Sequence, residues 1–244
     1  MDFAFLWETL VSLITAVPLT LQLAAAAVVL GAVLALFLAL MRLSGIWILS
    51  SIARAYVFVF RGSPLLVQIF LIYYGLGQFP AVRYSILWPI LREPYWCAIL
   101  ALTLCNAAYA SEIIRGGLLS VPFGQIEAAR ACGMSRLTLF RRIVLPLAIR
   151  QALPAYGNEI ISMVKSTSLA SIITLMEITG VAAKIMSETY RWFEILTLAG
   201  AMYLTINFAL TRIVKLIEYR LSPHLRDPRA LISNQPLVIA GENG

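Results

Sequence analysis

The sequence predicts an all-α integral membrane protein with five transmembrane helices, and three observations carry that expectation. Hydrophobic residues make up 61% of the chain and charged residues 13%, with a mean hydropathy of +0.86, whereas soluble domains are roughly half apolar. Five runs approach the about 20 apolar residues that a bilayer-crossing helix requires. The lysines and arginines, finally, are concentrated in alternate connections between those runs.

Residues 19–41 form the first run, interrupted only by Thr20 and Gln22. It is too long for the apolar core of a signal peptide, and no basic residue precedes it, so it reads as a retained helix. Residues 52–76 form the second, broken by the polar stretch "RGSP". Residues 95–114 and 195–217 are the third and fifth runs, and 155–175 is a weaker, more polar fourth. Five spans in 244 residues leave no room for a separate soluble domain. The expectation is one membrane domain over 1–244, with its core at about 15–220, a connecting loop at about 116–150 and a short tail at 221–244.

Orientation follows from basic residues, which collect on the cytoplasmic side. Arg42 and Arg54, then Arg115, Arg130, Arg136, Arg141, Arg142 and Arg150, then Arg212, Lys215, Arg220, Arg226 and Arg229 fall on one side. Only Arg83, Arg92, Lys184 and Arg191 fall on the other, while Arg61 and Lys165 lie within runs. This asymmetry predicts an N-terminus outside and a cytoplasmic C-terminus. The net charge of +7 is therefore a topology signal and argues against a nucleic-acid partner. The five tryptophans, Trp7, Trp47, Trp88, Trp96 and Trp192, fall near run ends, as interfacial anchors do. Cys97, Cys105 and Cys132 have no metal or redox spacing, and the first two read as small packing residues.

The longest basic connection contains "EAARACGMSRLTLFRRIVLP" at 127–146. Pro122 suits the first turn of one helix, and Gly133 suits its end. Ser135 can cap a second helix through Leu145, with Pro146 marking a bend or boundary. Leu137, Phe140, Val144 and Leu147 recur at spacings of 3, 4 and 3, flanked by Arg136, Arg141 and Arg142. That stripe alone is equally compatible with a helix lying among lipid headgroups. The small residues Ala128, Ala129, Ala131 and Gly133 fit close approach of another protein better.

These residues also carry a family resemblance. "EAARACG", nine residues, then "IVLP" resembles the EAA signature of ABC-importer permeases, matched at Glu127, Ala128, Ala129, Gly133, Ile143, Leu145 and Pro146. "FRGSPLLVQIFLIYYGLG" at 60–77 and "ALPAYGNEIISMVKSTSLAS" at 152–171 resemble the subfamily importing histidine, other polar or basic amino acids, and opines. Ser63, where threonine is expected, is a mild departure. The resemblance implies a type I importer permease fold in the bacterial inner membrane, with the EAA segment as a cytoplasmic coupling loop. It implies as partners a second permease subunit, two ATP-binding subunits carrying the ATP and Mg, and an external solute-binding protein. This chain is then expected to bind no cofactor or metal and to be a transport subunit without an ATPase site of its own.

Polar residues at membrane depth are costly and face a cavity or a partner. Asn158, Ser162, Lys165 or Ser166, and Leu169 form one helical stripe bordered by Glu159. The stripe is expected to line the translocation path, with Asn106 and Glu112 of the third run opposite. The alternative is local neutralisation: Glu159–Lys165 is off-face at a separation of six, but Glu112–Arg115 at three is well placed. Arg61, beside Gly62 and Pro64, marks either a broken helix next to the path or a simple kink with a snorkelling side chain. A membrane enzyme finds little support, since the only histidine, His224, lies beyond the last run and no phosphate-binding glycine loop is present. A stand-alone secondary transporter or channel would leave the EAA pattern unexplained and would lack an internal repeat.

Overall fold

The computed structural model describes residues 3–221, which are helical with no strand among them. His224, Arg226, Arg229 and the tail beyond Leu221 lie outside the described residues. Three helices are long and apolar enough to cross a bilayer: α1 (Phe3–Leu43), α6 (Pro94–Leu119) and α11 (Trp192–Leu221). Two bent pairs bring the count to five if each is taken as one span.

The first bent pair is a broken helix, one of the two readings the sequence left open at Arg61. Helix α2 (Trp47–Gly62) ends at Ser63, and the following limb, Leu65–Gln78, turns away by 104°. That limb starts as α3 (Leu65–Phe70) and passes through a π-turn at Leu71–Gly75 and a 3-10 turn at Leu76–Gln78. Pro64 cannot donate a backbone hydrogen bond, so the helix cannot continue through it. Gln68, only 5% exposed, compensates for the break. Its Nε2 donates to Phe60 O at 2.9 Å, Ser63 O at 3.2 Å and Ser63 Oγ at 2.9 Å. Carbonyls freed at membrane depth need such a partner. The short helices α4 (Pro80–Arg83) and α5 (Trp88–Leu91) then lead into α6.

One expectation is corrected at the opening of the fourth span. Helix α7 (Phe123–Ala131) is followed by α8 (Arg136–Leu139), capped by Ser135, whose Oγ accepts from Thr138 N at 3.3 Å. From Arg136 the chain stays helical through a π-turn at Phe140–Val144, α9 (Leu145–Ser166) and a 3-10 turn to Ile173. Pro146 is therefore no boundary. It sits in the first turn of α9, where the wider turn before it accommodates the missing donor. The extra residue of that turn also rotates the helix face. Leu139 is buried, while Leu137 and Phe140 of the expected apolar stripe are exposed. Beyond Thr174, which adopts φ +70°, the chain bends by 46° into α10 (Ile178–Thr189).

Helix α6 is the centre of the bundle, packed by α1, α2, α3 and α9. Its buried positions include Ala98, Ala101, Cys105, Ala107, Ala108, Ala110, Ser111 and Gly117. Small side chains let neighbouring backbones approach, which is how helices associate where no hydrophobic effect separates them. Cys97 and Cys105 are buried free thiols, as their packing role requires. On α1 the buried positions Thr9, Leu13, Ala16, Thr20, Leu23, Ala27, Gly31, Ala35 and Leu38 recur every three to four residues, one face toward the bundle. At 41 residues α1 is about 60 Å long, well beyond the first apolar run, so it must tilt or extend past the hydrocarbon layer of about 30 Å.

Packing at Gly117 can be tested directly. A Cβ there would lie 2.7 Å from Ala148 O and 2.9 Å from Ala152 Cβ on α9, whereas one at Gly116 meets nothing within 4 Å. Gly117→Ala should destabilise the purified protein by about 1–3 kcal/mol, read as a fall in thermal unfolding midpoint. Gly116→Ala should not lower it, and equal losses in both variants would refute this account of the α6–α9 contact.

Candidate functional site

Two regions carry the residues singled out in the sequence. The first is the junction of α7 with the base of the α8–α9 rod. Helix α7 ends in a Schellman motif: Gly133 N donates to Arg130 O at 2.9 Å and Met134 N to Ala129 O at 3.1 Å. Gly133 adopts φ +73°, a left-handed conformation that costs other residues about 1–2 kcal/mol. A Cβ on Gly133 would meet nothing within 4 Å, so the requirement is conformational. The reversal folds α7 back against the rod and opens a cleft of about 470 Å³ between them. Ala128, Ala129, Ile143 and Pro146 line it, together with Cys132 and Arg142. Ala129 is 3% exposed, while Glu127 and Leu145 stand on the surface and are absent from the cleft lining. The two halves of the EAA pattern, separated by nine residues, thus meet on one concave surface.

The end of the bundle that carries α7 also gathers the basic residues. Arg42, in the last turn of α1, reaches Glu112 Oε1 of α6 at 2.9 Å. Arg115 donates to Glu112 Oε2 through Nε at 3.0 Å and Nη2 at 2.7 Å. Glu112 is therefore engaged by cations of two helices. The local pairing with Arg115 expected as the alternative is present, and Arg42 joins it.

The second region is the polar centre of α6 and α9. Asn106, fully buried, donates from Nδ2 to Glu159 Oε1 at 3.4 Å. Its Oδ1 faces Gly31 of α1 so closely that any Cβ on Gly31 would collide with it. Asn158, Ser162 and Lys165 project from the exposed face of α9. Ser166 is half-buried, its hydroxyl donating to Ser162 O at 3.0 Å. The expected group therefore divides: Glu159 turns inward to Asn106, whereas Asn158, Ser162 and Lys165 are exposed, Lys165 beside a cleft bordered by α10 and α11. Arg61, in the last turn of α2 before the 104° break, places its guanidinium over the Tyr109 ring, 5.0 Å from the centroid.

A cluster around Glu177 was not anticipated. Glu177 is completely buried and caps α10, its Oε1 accepting from Gly180 N at 2.9 Å. Its Oε2 accepts from Tyr203 OH of α11 at 2.6 Å, and Thr179 Oγ1 lies 3.2 Å from that hydroxyl. Thr20 of α1 accepts from Ile178 N at 3.3 Å. The available signal was an acidic residue three positions before a glycine at the end of the fourth run, a helix-capping pattern.

Residues 27–223 match the family described as binding-protein-dependent transport system inner membrane component. The chain belongs to this family. The permease is 60% identical over 241 residues to the octopine transport system permease protein OccM of Rhizobium radiobacter, covering 99% of this chain and 98% of that protein. It is 56% identical to the nopaline transport system permease protein NocM of Agrobacterium fabrum, covering 93% and 94%. Among solved structures, an amino acid ABC transporter crystallised with histidines matches with a TM-score of 0.80 at 37% identity, covering 90% of this chain and 99% of that one. The permease is thus a membrane-embedded component of an ABC importer system, with the helical architecture of its solved relative.

The Schellman turn yields a local prediction. Gly133→Val should loosen α7 by about 1–2 kcal/mol, detected as faster amide exchange across 123–134. Gly133→Asn should lose less, because asparagine tolerates the left-handed region. Equal protection in all three proteins would remove the conformational reason for this glycine.

Proposed function

We propose that the permease forms, with a second permease subunit, the path by which an opine or a related polar amino acid enters a bacterial cell across the inner membrane. The observation that carries this reading is the near-full-length identity to octopine and nopaline permeases combined with the cleft at α7. An external binding protein delivers the cargo, and two ATP-binding subunits supply ATP and Mg. The N-terminus lies outside, and the end carrying Arg42, Arg115 and the α7 cleft lies in the cytoplasm, in accord with the clustering of arginines there.

In this reading α7 docks on an ATP-binding subunit, with Glu127, Ala128, Ala129, Gly133, Ile143, Leu145 and Pro146 as the coupling element. The π-turn and α9 form one continuous helix from this element to the polar centre. Displacement of α7 is therefore passed to α9 as a rigid-body motion. Asn158, Glu159, Ser162, Lys165 and Ser166 line the path, with Asn106 and Arg61 beside them and Glu112 at its basic end. Their outward face is completed by the second permease, so that the cavity lies between subunits. Closure of the ATP-binding subunits opens the cavity outward, and release of ADP returns it inward.

Co-expression of the chain with its partner subunits and binding protein should confer ATP-dependent uptake of labelled octopine on vesicles. Ala128→Trp fills the α7 cleft and should reduce uptake at least tenfold while the complex still assembles. Wild-type uptake by that variant in an intact complex would rule out the coupling role. Replacing Asn158 or Glu159 singly should raise the half-saturating cargo concentration for ATPase stimulation, and unchanged values for both would rule out path lining.

A further inference from the structure

The coupling and path assignments leave one strained part of the bundle without a role. Among the described residues, only two that are not glycine adopt a positive φ, Thr174 at +70° and Tyr190 at +58°. They flank α10, one on each side. For a β-branched residue such as threonine the left-handed region is an outlier, and it persists only where the surrounding structure imposes it. The approach to Thr174 is unusual as well. Thr167–Ile173 is a 3-10 run of seven residues, longer than that geometry ordinarily sustains, and such runs within a helix are typical of hinges. Here the chain bends by 46°. Helix α10 is thus a short rigid element between two strained joints.

A polar node fastens this element at its first turn. Tyr203 of α11 gives its proton to Glu177 Oε2 at 2.6 Å, and Gly180 N donates to Oε1 at 2.9 Å. Thr179 is then the donor in its 3.2 Å contact with Tyr203 OH. Ile178 N donates to Thr20 Oγ1 of α1 at 3.3 Å. Gly180 is required by the tight turn, since a Cβ there would collide with Leu175 O. Ile178, Ala182 and Met186 pack beyond the node against Leu13 and Ala16 of α1 and Ile195 and Ala199 of α11. Glu177 is completely buried, and a buried carboxylate is tolerated only while its oxygens accept hydrogen bonds. Moving α10 away from α11 would strip the carboxylate of its Tyr203 donor, so the two helices part only against that cost. An opening of about 370 Å³ beside Thr179 and Tyr203, reaching the end of α9, leaves room for such a movement.

We propose that α10 is a hinged element latched to α11 by the Glu177–Tyr203 hydrogen bond, and that this latch sets how readily the permease leaves its resting arrangement. The assignment rests on the transport reading and its orientation, which put α10 toward the outer side. Motion that starts at α7 travels along α9, reaches α10 through the 3-10 run and has to break the Tyr203 bond before α10 swings. Relief of the strain at Thr174 favours release, and the latch opposes it. Their balance keeps ATP hydrolysis low until a loaded binding protein arrives.

The test uses the assembled importer in nanodiscs, supplied with ATP but not with its binding protein. Tyr203→Phe keeps the ring and removes the donor, and it should raise this basal ATPase rate at least threefold. Thr174→Gly removes the strain and should not raise the rate. Added to Tyr203→Phe, it should return the rate at least halfway to wild type. Nitroxide labels at Ser187 of α10 and Leu204 of α11, with the exposed Cys132 replaced by serine, report the separation of the two helices. Their distance distribution should broaden in Tyr203→Phe and narrow again in the double variant. A wild-type basal rate and unchanged distances in Tyr203→Phe would overturn the latch. A raised rate that Thr174→Gly does not reverse would mark a merely loosened fold and overturn it equally. If binding protein and cargo fail to stimulate even the wild-type importer, the transport reading itself is wrong. If they stimulate it and the variants behave as wild type, only the latch fails.

Discussion

The seam along α6 is the constraint on which the other features of this permease depend. Inside a bilayer, apolar burial does not drive helices together, so association relies on close contact and on satisfying polar groups. Helix α6 meets that requirement by presenting alanines, cysteines, a serine and Gly117 to its neighbours. The same closeness brings Asn106 between Gly31 of α1 and Glu159 of α9. A larger residue at Gly31 would strike the amide oxygen, so the polar junction and the helix spacing are one requirement. Tyr56 of α2 extends it, donating to Leu104 O of α6 at 2.8 Å.

From this seam the mechanical layout follows. Helix α9 is held by α6 through Gly117 and Ala148, and by α11 where Gly157 admits Val214. It continues without a break into the π-turn and α8, so Ile143, Leu145 and Pro146 belong to one rod with the polar centre, while α7 packs against its base. The α2–α3 break behaves differently. There the chain changes direction by 104°, and Gln68 gathers the freed oxygens so that the turn persists at depth. One part of the permease is thus a long unbroken helix, and another a sharp turn held by side-chain hydrogen bonds.

Much of this was legible in the amino-acid sequence, and the failures have physical causes. Hydropathy located the three long apolar helices and the two bent pairs, because bilayer thickness imposes its length on composition. Gly133 was readable as a helix stop because its left-handed conformation restricts the residue choice. The continuation of helix through Pro146 was not readable. A π-turn adds a residue without changing composition, and it shifts the register of the stripe Leu137, Phe140, Val144 and Leu147. The break at Arg61–Pro64 could be located, but its size depended on Gln68, whose role needs the fold. Glu177 escaped notice because its partners, Tyr203 and Thr20, are distant in sequence. Spacing grouped the polar stripe of α9, yet only packing could show that Glu159 turns inward while Lys165 does not.

That last division separates the charges of α9. The described acids within the bundle are taken up by the protein's own groups: Glu112 by Arg42 and Arg115, Glu177 by Tyr203 and Gly180, and Glu159 by Asn106. Of these, Glu159 has the weakest commitment, a single bond of 3.4 Å. On the basic side, Arg61 is placed over an aromatic ring and Lys165 has no counter-charge. Glu159 and Lys165 stand about 9 Å apart along α9 but, six residues apart, on different faces of it, so the carboxylate belongs to the α6 seam and the ammonium to the side bordered by α10 and α11.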